Sequence, residues 1–289
     1  MKFRLLKYFL MVAREENITK AANLLHITQP TLSRQLIQLE NELGVVLFQR
    51  SKHRIILTED GMLLRRRAEE ILTLMEKTHQ ELTKNYDELV GEISIGCGET
   101  QNMSYLSQKI HDFRKIHSLV KFHIHTTTAD EIKERIENGL LDMGLVTEPV
   151  DISKYNFIRL PKKEQWGILI HQNHKLAKKS IITPEDLINE PLIIARRVAV
   201  QNELLNWFNN SEDKLNIVAT YNLILNAVNM VKNKIGIALC FDLNLDNFFQ
   251  DLCFIPLYPE VKTGAVLIWK KDHIYSQTML HFLQAIKNA

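Results

Sequence analysis

Apolar residues recur every three or four positions through the first 45 residues, which is the spacing of helices that bury one face. Thr19 and Thr28 are predicted N-caps of the second and third helical segments, and Gly44 is the predicted end of the third. The pattern predicts three short helices, the last two joined by a tight turn. Their apolar stripes are Phe3, Leu6, Leu10 and Ala13; Ala21, Ala22, Leu24 and Leu25; and Leu32, Leu36, Leu39 and Leu43.

The outer face of the third predicted helix is polar at its beginning. The stretch TQPTLSRQL, residues 28–36, presents Gln29, Ser33 and Arg34 opposite its leucines. Gln and Arg pair with adenine and guanine edges in the major groove of DNA, where a helix-turn-helix places its second helix. A solvated helix face without any partner has the same composition, so this stretch alone leaves both interpretations open.

The segment after this helix, LFQRSKHRIILTEDG, predicts two short strands around a basic turn, followed by a new helix capped by Thr58. Arg50, Lys52, His53 and Arg54 lie in or beside the turn. A basic hairpin after a helix-turn-helix is typical of a wing, whose cations contact the DNA backbone or minor groove.

The run FLMVAREENITKAANLLHITQPTLSRQLIQLENELGVVLFQR, followed by LTEDG, resembles the signature of LysR-type transcriptional regulators. One departure is NITK, where family members often carry Gly-Ser-Phe, although Thr19 retains a capping oxygen. The resemblance implies backbone contacts for Arg50 and Arg54, and Lys20, Thr28 and Lys52 complete the predicted DNA-binding set. It also implies that five residues of the third helix contact DNA: Gln29, Pro30, Thr31, Ser33 and Arg34.

Residues 59–90 are predicted to form one long helix, ended by Gly91, with apolar residues on alternating three- and four-residue steps. This seam favours pairing of two chains, with weak points at Thr78 and Asn85. A surface helix packed on its own domain is the alternative, but the LysR-type resemblance also implies a dimerisation helix. The predicted dimer contacts are Leu64, Ile71, Met75 and Leu82.

From Glu92 the pattern changes to strands that alternate with helices, which favours parallel sheets. The predicted fold class is α/β: a winged helix-turn-helix over residues 1–58, a linker helix over 59–90 and a two-lobed domain over 91–289. By resemblance, this last domain is an effector-binding domain similar to periplasmic binding proteins. Lobe I is predicted over about 91–161 and 266–289, and lobe II over about 162–265.

Ligands of open α/β sheets bind beyond the carboxyl ends of the strands. Residues at those ends include threonines that can sit at helix N-termini and Arg196, which can clamp a carboxylate. The sequence therefore predicts a small anionic metabolite between the lobes, although ordinary helix caps and a hinge salt bridge are the alternatives. The predicted effector-binding residues are Thr100, Gln101, Thr126, Thr128, Thr147, Arg196 and Gln201.

Charge and composition agree with this division. The 289 residues carry a net charge of +2, but residues 1–67 hold twelve Lys and Arg against six Asp and Glu, which favours a polyanion partner. The apolar run YFLMVA is too short for a signal peptide, and no run approaches the length of a membrane span. These observations predict a cytoplasmic protein that is not bound to a membrane.

Other chemistry finds little support in the sequence. His123 with His125 and His171 with His174 lack further ligands, so no metal site is predicted. Cys97 ends a strand without a resolving partner, and neither catalytic residues nor a cofactor motif is recognised. The predicted function is a regulator that binds promoter DNA as a homodimer or homotetramer and responds to a small molecule. An enzyme fused to a DNA-binding module and a ligand-independent architectural DNA binder are the alternatives.

Overall fold

A computed structural model describes the fold over residues 2–50, 55–82, 89–208, 215–244 and 251–287. The chain divides into two compact units, Met1–Lys84 and Asn85–Ala289. Each unit has its own buried apolar clusters. Among the described helices, none combines the length and the apolar character that crossing a lipid bilayer requires.

The N-terminal unit contains the three helices, the hairpin and the fourth helix that the sequence predicts. Leu32, Leu36 and Leu39 are buried against Phe9, whose ring lies 5.2 Å from that of Phe48. These contacts explain why the apolar stripes face inward. The elements are α1 Phe3–Glu15, α2 Ile18–Leu24, α3 Gln29–Leu43, β1 Phe48–Arg50, β2 Ile55–Leu57 and α4 Glu59–Leu82.

Gly61 lies in the first turn of α4, where this helix follows the hairpin. Thr58 caps this helix by accepting the Gly61 N–H at 3.0 Å, and its hydroxyl donates to the Val46 carbonyl at 2.7 Å. A Cβ at Gly61 would overlap the Leu47 carbonyl oxygen, so only glycine permits this close approach. The segment LTEDG therefore sets the first turn of α4 directly against the chain that enters β1.

The C-terminal unit contains two sheets, and we call the parts built on them lobe I and lobe II. The sheet of lobe I has strand order β4-β3-β5-β13-β6, with β3 parallel to β4 and β5 and with β13 antiparallel to β5 and β6. Its strands are β3 Gly91–Cys97, β4 Val120–Thr126, β5 Met143–Thr147, β6 Tyr155–Arg159 and β13 Ala265–Lys270, and its helices are α5 Asn102–Ile116, α6 Ala129–Glu137 and α10 Gln277–Lys287.

The sheet of lobe II has strand order β11-β7-β10-β8-β9, and β12 also pairs with β7. The parallel pairs are β8 with β9 and β8 with β10, whereas β7 is antiparallel to β10 and β11. The strands are β7 Glu164–His171, β8 Pro191–Ala195, β9 Asn216–Tyr221, β10 Ile237–Phe241, β11 Leu252–Pro256 and β12 Lys262–Thr263. The helices are α7 Pro184–Leu187, α8 Val198–Trp207 and α9 Ile224–Lys232, with a short 3₁₀ helix at Lys175–Lys178.

The predicted fold class is confirmed, including the return of a late strand and a final helix to lobe I. The sequence pattern did not predict β6, β11 or β12. β6 is an edge strand with Asn156, Phe157 and Arg159 exposed, so it lacks the apolar run of a central strand. Gly91 does not end the linker helix as predicted, because it is the first residue of β3.

Candidate DNA-binding surface and effector cavity

Helix α3 carries the predicted DNA-binding residues on its N-terminal outer side. Thr28 caps the helix, and its hydroxyl lies 2.8 Å from that of Thr31. Ser33 is half-buried, and Thr28 itself is exposed. The buried leucines of α3 orient these residues outward, so side chains of the helix can reach base edges. We call the four exposed residues in its first two turns the reading face: Gln29, Pro30, Thr31 and Arg34.

Helix α2 begins two residues earlier than a cap at Thr19 predicts. Asn17, not Thr19, is the N-cap, and its side-chain oxygen accepts the Lys20 N–H at 2.9 Å. The Lys20 ammonium forms an ion pair with Glu15 at 2.6 Å, in which the lysine side chain is 67% exposed and the glutamate 12%. Hydrogen bonds from Lys20 and then Arg14 lower the pKa of Glu15. The lysine end of this pair is open to solvent.

Glu40 anchors the hairpin to α3, a contact that the sequence analysis missed. Its carboxylate accepts the backbone N–H groups of Leu47 at 2.8 Å and Phe48 at 3.3 Å. From the sequence, Glu40 is recognisable only as one acidic residue among the other polar residues of α3. Arg50 lies in β1, but its side chain and the wing residues Lys52, His53 and Arg54 lie outside the described residues.

The predicted seam of α4 is partly used within the chain. Ala68 is fully buried in the N-terminal unit, and Leu64 and Ile71 pack against the same core. These side chains contact their own unit because α4 lies along α1. Leu64 and Ile71 are only partly buried there, so their assignment to a dimer contact stays a prediction. Met75 is half-buried further along the helix, and the side chain of Leu82 lies outside the described set.

A cavity of about 230 Å³ lies between lobe I and lobe II. Aromatic and aliphatic side chains form most of its wall, which is typical of small-molecule sites. Trp166 and Phe241 form an aromatic corner, with ring centroids 4.3 Å apart. Polar groups also reach the cavity from both lobes: Glu99, Thr128, Asp130 and Thr147 from lobe I, and Arg196, Arg197, Tyr221 and Asn222 from lobe II.

Three of the predicted effector-binding residues line this cavity, namely Thr128, Thr147 and Arg196. Thr128 is the N-cap of α6 and accepts the Glu131 N–H at 3.5 Å. Arg196 is exposed, and none of the described side chains forms an ion pair or hydrogen bond with its guanidinium. Its charge is therefore available to a ligand.

The other four predicted residues do not reach the cavity wall. Thr100 is buried and donates its hydroxyl hydrogen to Glu164, the first residue of β7. Gln101 donates its side-chain N–H to the Asp242 carbonyl at 2.7 Å, and Gln201 donates to the Ala195 carbonyl at 3.1 Å. Thr126 is exposed at the end of the edge strand β4. Contacts within the chain engage three of these side chains and the fourth lies at the sheet edge, so their part in effector binding stays a prediction.

Arg197 joins the two lobes, although the sequence analysis named only its neighbour. Its guanidinium donates to the carbonyl oxygens of Thr147 at 3.4 Å and Pro149 at 2.8 Å, and it lies 3.6 Å from the carboxylate of Asp130. The Arg197 side chain is only 15% exposed, whereas Arg196 is open to solvent. The doublet thus divides into one arginine that bridges the lobes and one that lines the cavity and is exposed to solvent.

Glu99 is a second cavity residue that the sequence analysis did not select. It follows β3, and its carboxylate accepts the Ile224 N–H at the beginning of α9 in lobe II. Desolvation by burial raises its pKa, while hydrogen bonds from the N–H groups of Ile224 and then Leu225 oppose this rise. Glu164 bridges the lobes in the opposite sense: it belongs to lobe II and accepts the Gln101 and Asn102 N–H groups of lobe I, each at 3.2 Å.

Two buried cysteines, Cys97 and Cys240, have environments that disfavour the thiolate. Burial raises the pKa of the Cys97 thiol to about 12, and that of Cys240 likewise to about 12. Thiols with such values are not reactive thiolates at neutral pH. In the described part of the chain, no three His, Cys, Asp or Glu side chains come together as metal ligands.

Two family models match this chain. The model for "Bacterial regulatory helix-turn-helix protein, lysR family" matches residues 3–62, and that for "LysR substrate binding domain" matches residues 87–289. The chain is 27% identical over 291 residues to the transcriptional regulator BsdA of Bacillus subtilis (strain 168), with coverage of 98% of this chain and 99% of that protein. It is 30% identical over 281 residues to the Hca operon transcriptional activator HcaR of Escherichia coli (strain K12), with coverage of 95% and 93%.

Solved structures give the same result for the fold. The LysR family transcriptional regulator CbnR matches with a TM-score of 0.80 and 21% identity, covering 100% of this chain and 99% of that chain. CbnR complexed with its target DNA matches with a TM-score of 0.79 and 22% identity over the same shares. The resemblance that the sequence predicted is confirmed, and the chain belongs to the LysR family of transcriptional regulators, with a helix-turn-helix module and a LysR substrate binding domain.

Proposed function

We propose that this regulator binds promoter DNA through the reading face of α3 and changes its DNA binding or activation when a small metabolite occupies the interlobe cavity. The observation that carries the proposal is the cavity, which is mainly apolar and contains one arginine without a partner among the described residues. A LysR-family chain with such a cavity has both a module that reads DNA and a module that binds a ligand.

The DNA-binding part rests on Gln29 and Arg34, which are exposed on the first two turns of α3. Their side chains carry hydrogen-bonding groups that pair with the edges of adenine and guanine in the major groove. Lys20, Thr28, Thr31 and the wing cations supply contacts to the backbone, which position the helix without selecting a sequence.

The effector is proposed to be a small metabolite with an apolar body and one anionic group. Its body lies against Trp166 and Phe241, and its anionic group pairs with Arg196, near the N-terminus of α6 at Thr128. A ligand held by both lobes biases their relative placement, which couples its binding to the DNA-binding state.

Two chains are proposed to pair through the part of α4 beyond its own core contacts. Met75 and Leu82 continue the apolar seam after Ala68, whereas Leu64 and Ile71 already pack internally. Met75→Asp combined with Leu82→Asp should bury unpaired charge in this contact and dissociate the oligomer. Sedimentation velocity tests this, with Leu63→Asp as an exposed control on the same helix. An unchanged sedimentation coefficient would place the contact elsewhere.

We also propose that the chain acts in the cytoplasm, where chromosomal DNA is available, and that it is not an enzyme. Neither a nucleophile with an activating base nor a metal cluster occurs among the described residues lining the cavity. A regulator binds its ligand without converting it, so incubation with a bound metabolite should leave that metabolite unchanged by mass spectrometry. Turnover by the purified full chain would favour the fused-enzyme alternative.

The central experiment combines a metabolite screen with footprinting. The full chain is screened by thermal shift, and each hit is titrated into wild type, Arg196→Ala and Lys178→Ala, the last an exposed lysine of lobe II outside the cavity. Loss of the charged hydrogen bond at Arg196 should weaken an anionic hit by about 1.5–3 kcal/mol, and Lys178→Ala should have no effect. The hit should also change the footprint on the promoter DNA.

Equal affinity of a hit for wild type and Arg196→Ala would show that the anionic group of the ligand does not contact Arg196. A ligand that binds outside the cavity, or that never alters the footprint, would contradict the proposed coupling between the two modules.

A further inference from the structure

The Glu99 side chain crosses the cleft between the lobes. It follows the carboxyl end of β3 in lobe I, yet its carboxylate accepts N–H groups at the beginning of α9 in lobe II. Both Glu99 and Ile224 line the cavity. The first turn of α9 therefore already holds an anion, and that anion belongs to the protein.

The beginning of α5 is occupied in the same way by the opposite lobe. The carboxylate of Glu164 accepts the N–H groups of Gln101 and Asn102, the hydroxyl hydrogen of Thr100 and the side-chain N–H of Asn102. The Glu164 side chain is buried, at 2% exposure. A ligand carboxylate that sought either of these helix N-termini would have to displace a carboxylate of the protein.

The charge of Glu99 is not neutralised by a neighbouring cation. None of the described Lys, Arg or His side chains forms an ion pair with it, whereas Asp130, the other acid of the cavity, lies 3.6 Å from Arg197. Arg196 is on the wall contributed by lobe II. The cavity thus has a hydrogen-bond acceptor, the Glu99 carboxylate, on the side of lobe I and a positive charge, the Arg196 guanidinium, on the side of lobe II.

We propose that Glu99 selects the chemistry of the effector: the ligand presents a hydrogen-bond donor, such as an amino or hydroxyl group, to Glu99 and its single carboxylate to Arg196. Dicarboxylates are rejected, because their second carboxylate would face the carboxylate of Glu99. This inference rests on the proposed function, since it describes the ligand of that same cavity.

Partial burial of Glu99 supports this assignment. Burial raises its pKa, so the ionised carboxylate is less stable there than in water. A donor group from the ligand would compensate for the lost hydration, whereas a second anion would add repulsion. If Glu99 only capped α9, glutamine would replace it without changing the choice of ligand, because the glutamine carbonyl oxygen accepts the same N–H groups.

The test uses three probes with the same ring and the same carboxylate: 4-aminobenzoate, 4-hydroxybenzoate and terephthalate. The aromatic corner of Trp166 and Phe241 suits the ring, and only the para group differs. Isothermal titration with the full chain should give affinities for the amino and hydroxyl compounds at least about tenfold above that for terephthalate, as expected for loss of one charged hydrogen bond.

Glu99→Gln should reduce this preference to about twofold or less, because the variant keeps the acceptor and removes the charge. Arg196→Ala is the matched control, and it should weaken all three probes alike and leave their ratio unchanged. An unchanged unfolding midpoint by tryptophan fluorescence establishes that both variants fold, because all three tryptophans lie in the C-terminal unit.

Two failures are distinguishable. Binding of the probes with a ratio that Glu99→Gln leaves unchanged, or a wild-type preference for terephthalate, overturns the role of Glu99 and leaves the effector cavity in place. Absence of binding by all three probes and by every compound of the metabolite screen overturns the proposed cavity and the selection by Glu99 together.

Discussion

The reading face of α3 and the polar groups of the interlobe cavity both lie near helix beginnings, but the two sets of side chains differ in the contacts they make within the chain. Gln29 and Arg34 are exposed, and their orientation follows from buried leucines in the same helix. Glu99 and Arg197 instead bond to backbone groups of the opposite lobe. A surface of the first kind depends on local periodicity, whereas one of the second kind depends on how distant segments meet.

The largest expected effect separates the two units. Leu32→Ala should lower the free energy of unfolding of the N-terminal unit by about 2–5 kcal/mol, because it leaves a cavity beneath the reading face. All three tryptophans, Trp166, Trp207 and Trp269, belong to the C-terminal unit. Circular dichroism should therefore show an early transition while the midpoint by tryptophan fluorescence stays in place.

Leu43→Ala is the control for this change, because Leu43 is 39% exposed on the same helix. It should alter stability by no more than about 0.5 kcal/mol. A common shift of the circular dichroism and fluorescence transitions would mean that the two units unfold together.

A second change acts on the reading face without disturbing its core. Arg34→Ala should cost about 1–3 kcal/mol at the cognate site and relax the preference at one base pair. Arg66→Ala removes the same charge from an exposed position of α4 and should leave that preference intact. Quantitative footprinting on the natural site and on single-base variants measures both. An equal loss at every site would make Arg34 a backbone contact.

The arginine doublet gives a matched test inside the C-terminal unit. Arg197→Ala removes hydrogen bonds to Thr147 and Pro149 and should lower the free energy of unfolding by about 1–2 kcal/mol. Arg196→Ala should change it by less than about 0.5 kcal/mol, because this side chain is exposed. Denaturant titration followed by tryptophan fluorescence compares them, and equal destabilisation would contradict the bridging role of Arg197.

The smallest expected effect concerns pH. The pKa of Glu99 is raised above its ordinary value of 4.5 by burial, so the folded chain binds this proton more tightly than the unfolded chain. The contribution of Glu99 to stability is therefore complete below 4.5 and is lost as the pH rises through the higher folded value. Unfolding of wild type and Glu99→Gln across this range should differ in slope, and identical slopes would mean that Glu99 titrates normally.

The sequence predicted the orientation of the α3 side chains better than the contacts around the cavity, for a physical reason. Gln29 and Arg34 could be oriented from the leucines of their own helix, without knowledge of any other segment. Thr100 was correctly expected near the beginning of a helix, but its bond to Glu164 joins residues 64 positions apart. Glu99 and Arg197 were missed because only the packed lobes bring Glu99 to Ile224 and Arg197 to Thr147. The fold class could be predicted because the alternation of strands and helices is visible in local sequence patterns, and the observed strand order confirms it.

The return of β13 and α10 to the sheet of lobe I has a consequence for biosynthesis. Lobe II is an insertion within lobe I, so the first lobe cannot complete its sheet until β13, which follows the whole of lobe II in sequence, has left the ribosome. The helix-turn-helix module has no such dependence, because all its segments lie near the beginning of the chain and domains fold largely as units during synthesis. A nascent chain thus acquires its DNA-binding fold well before the module that senses the ligand can close.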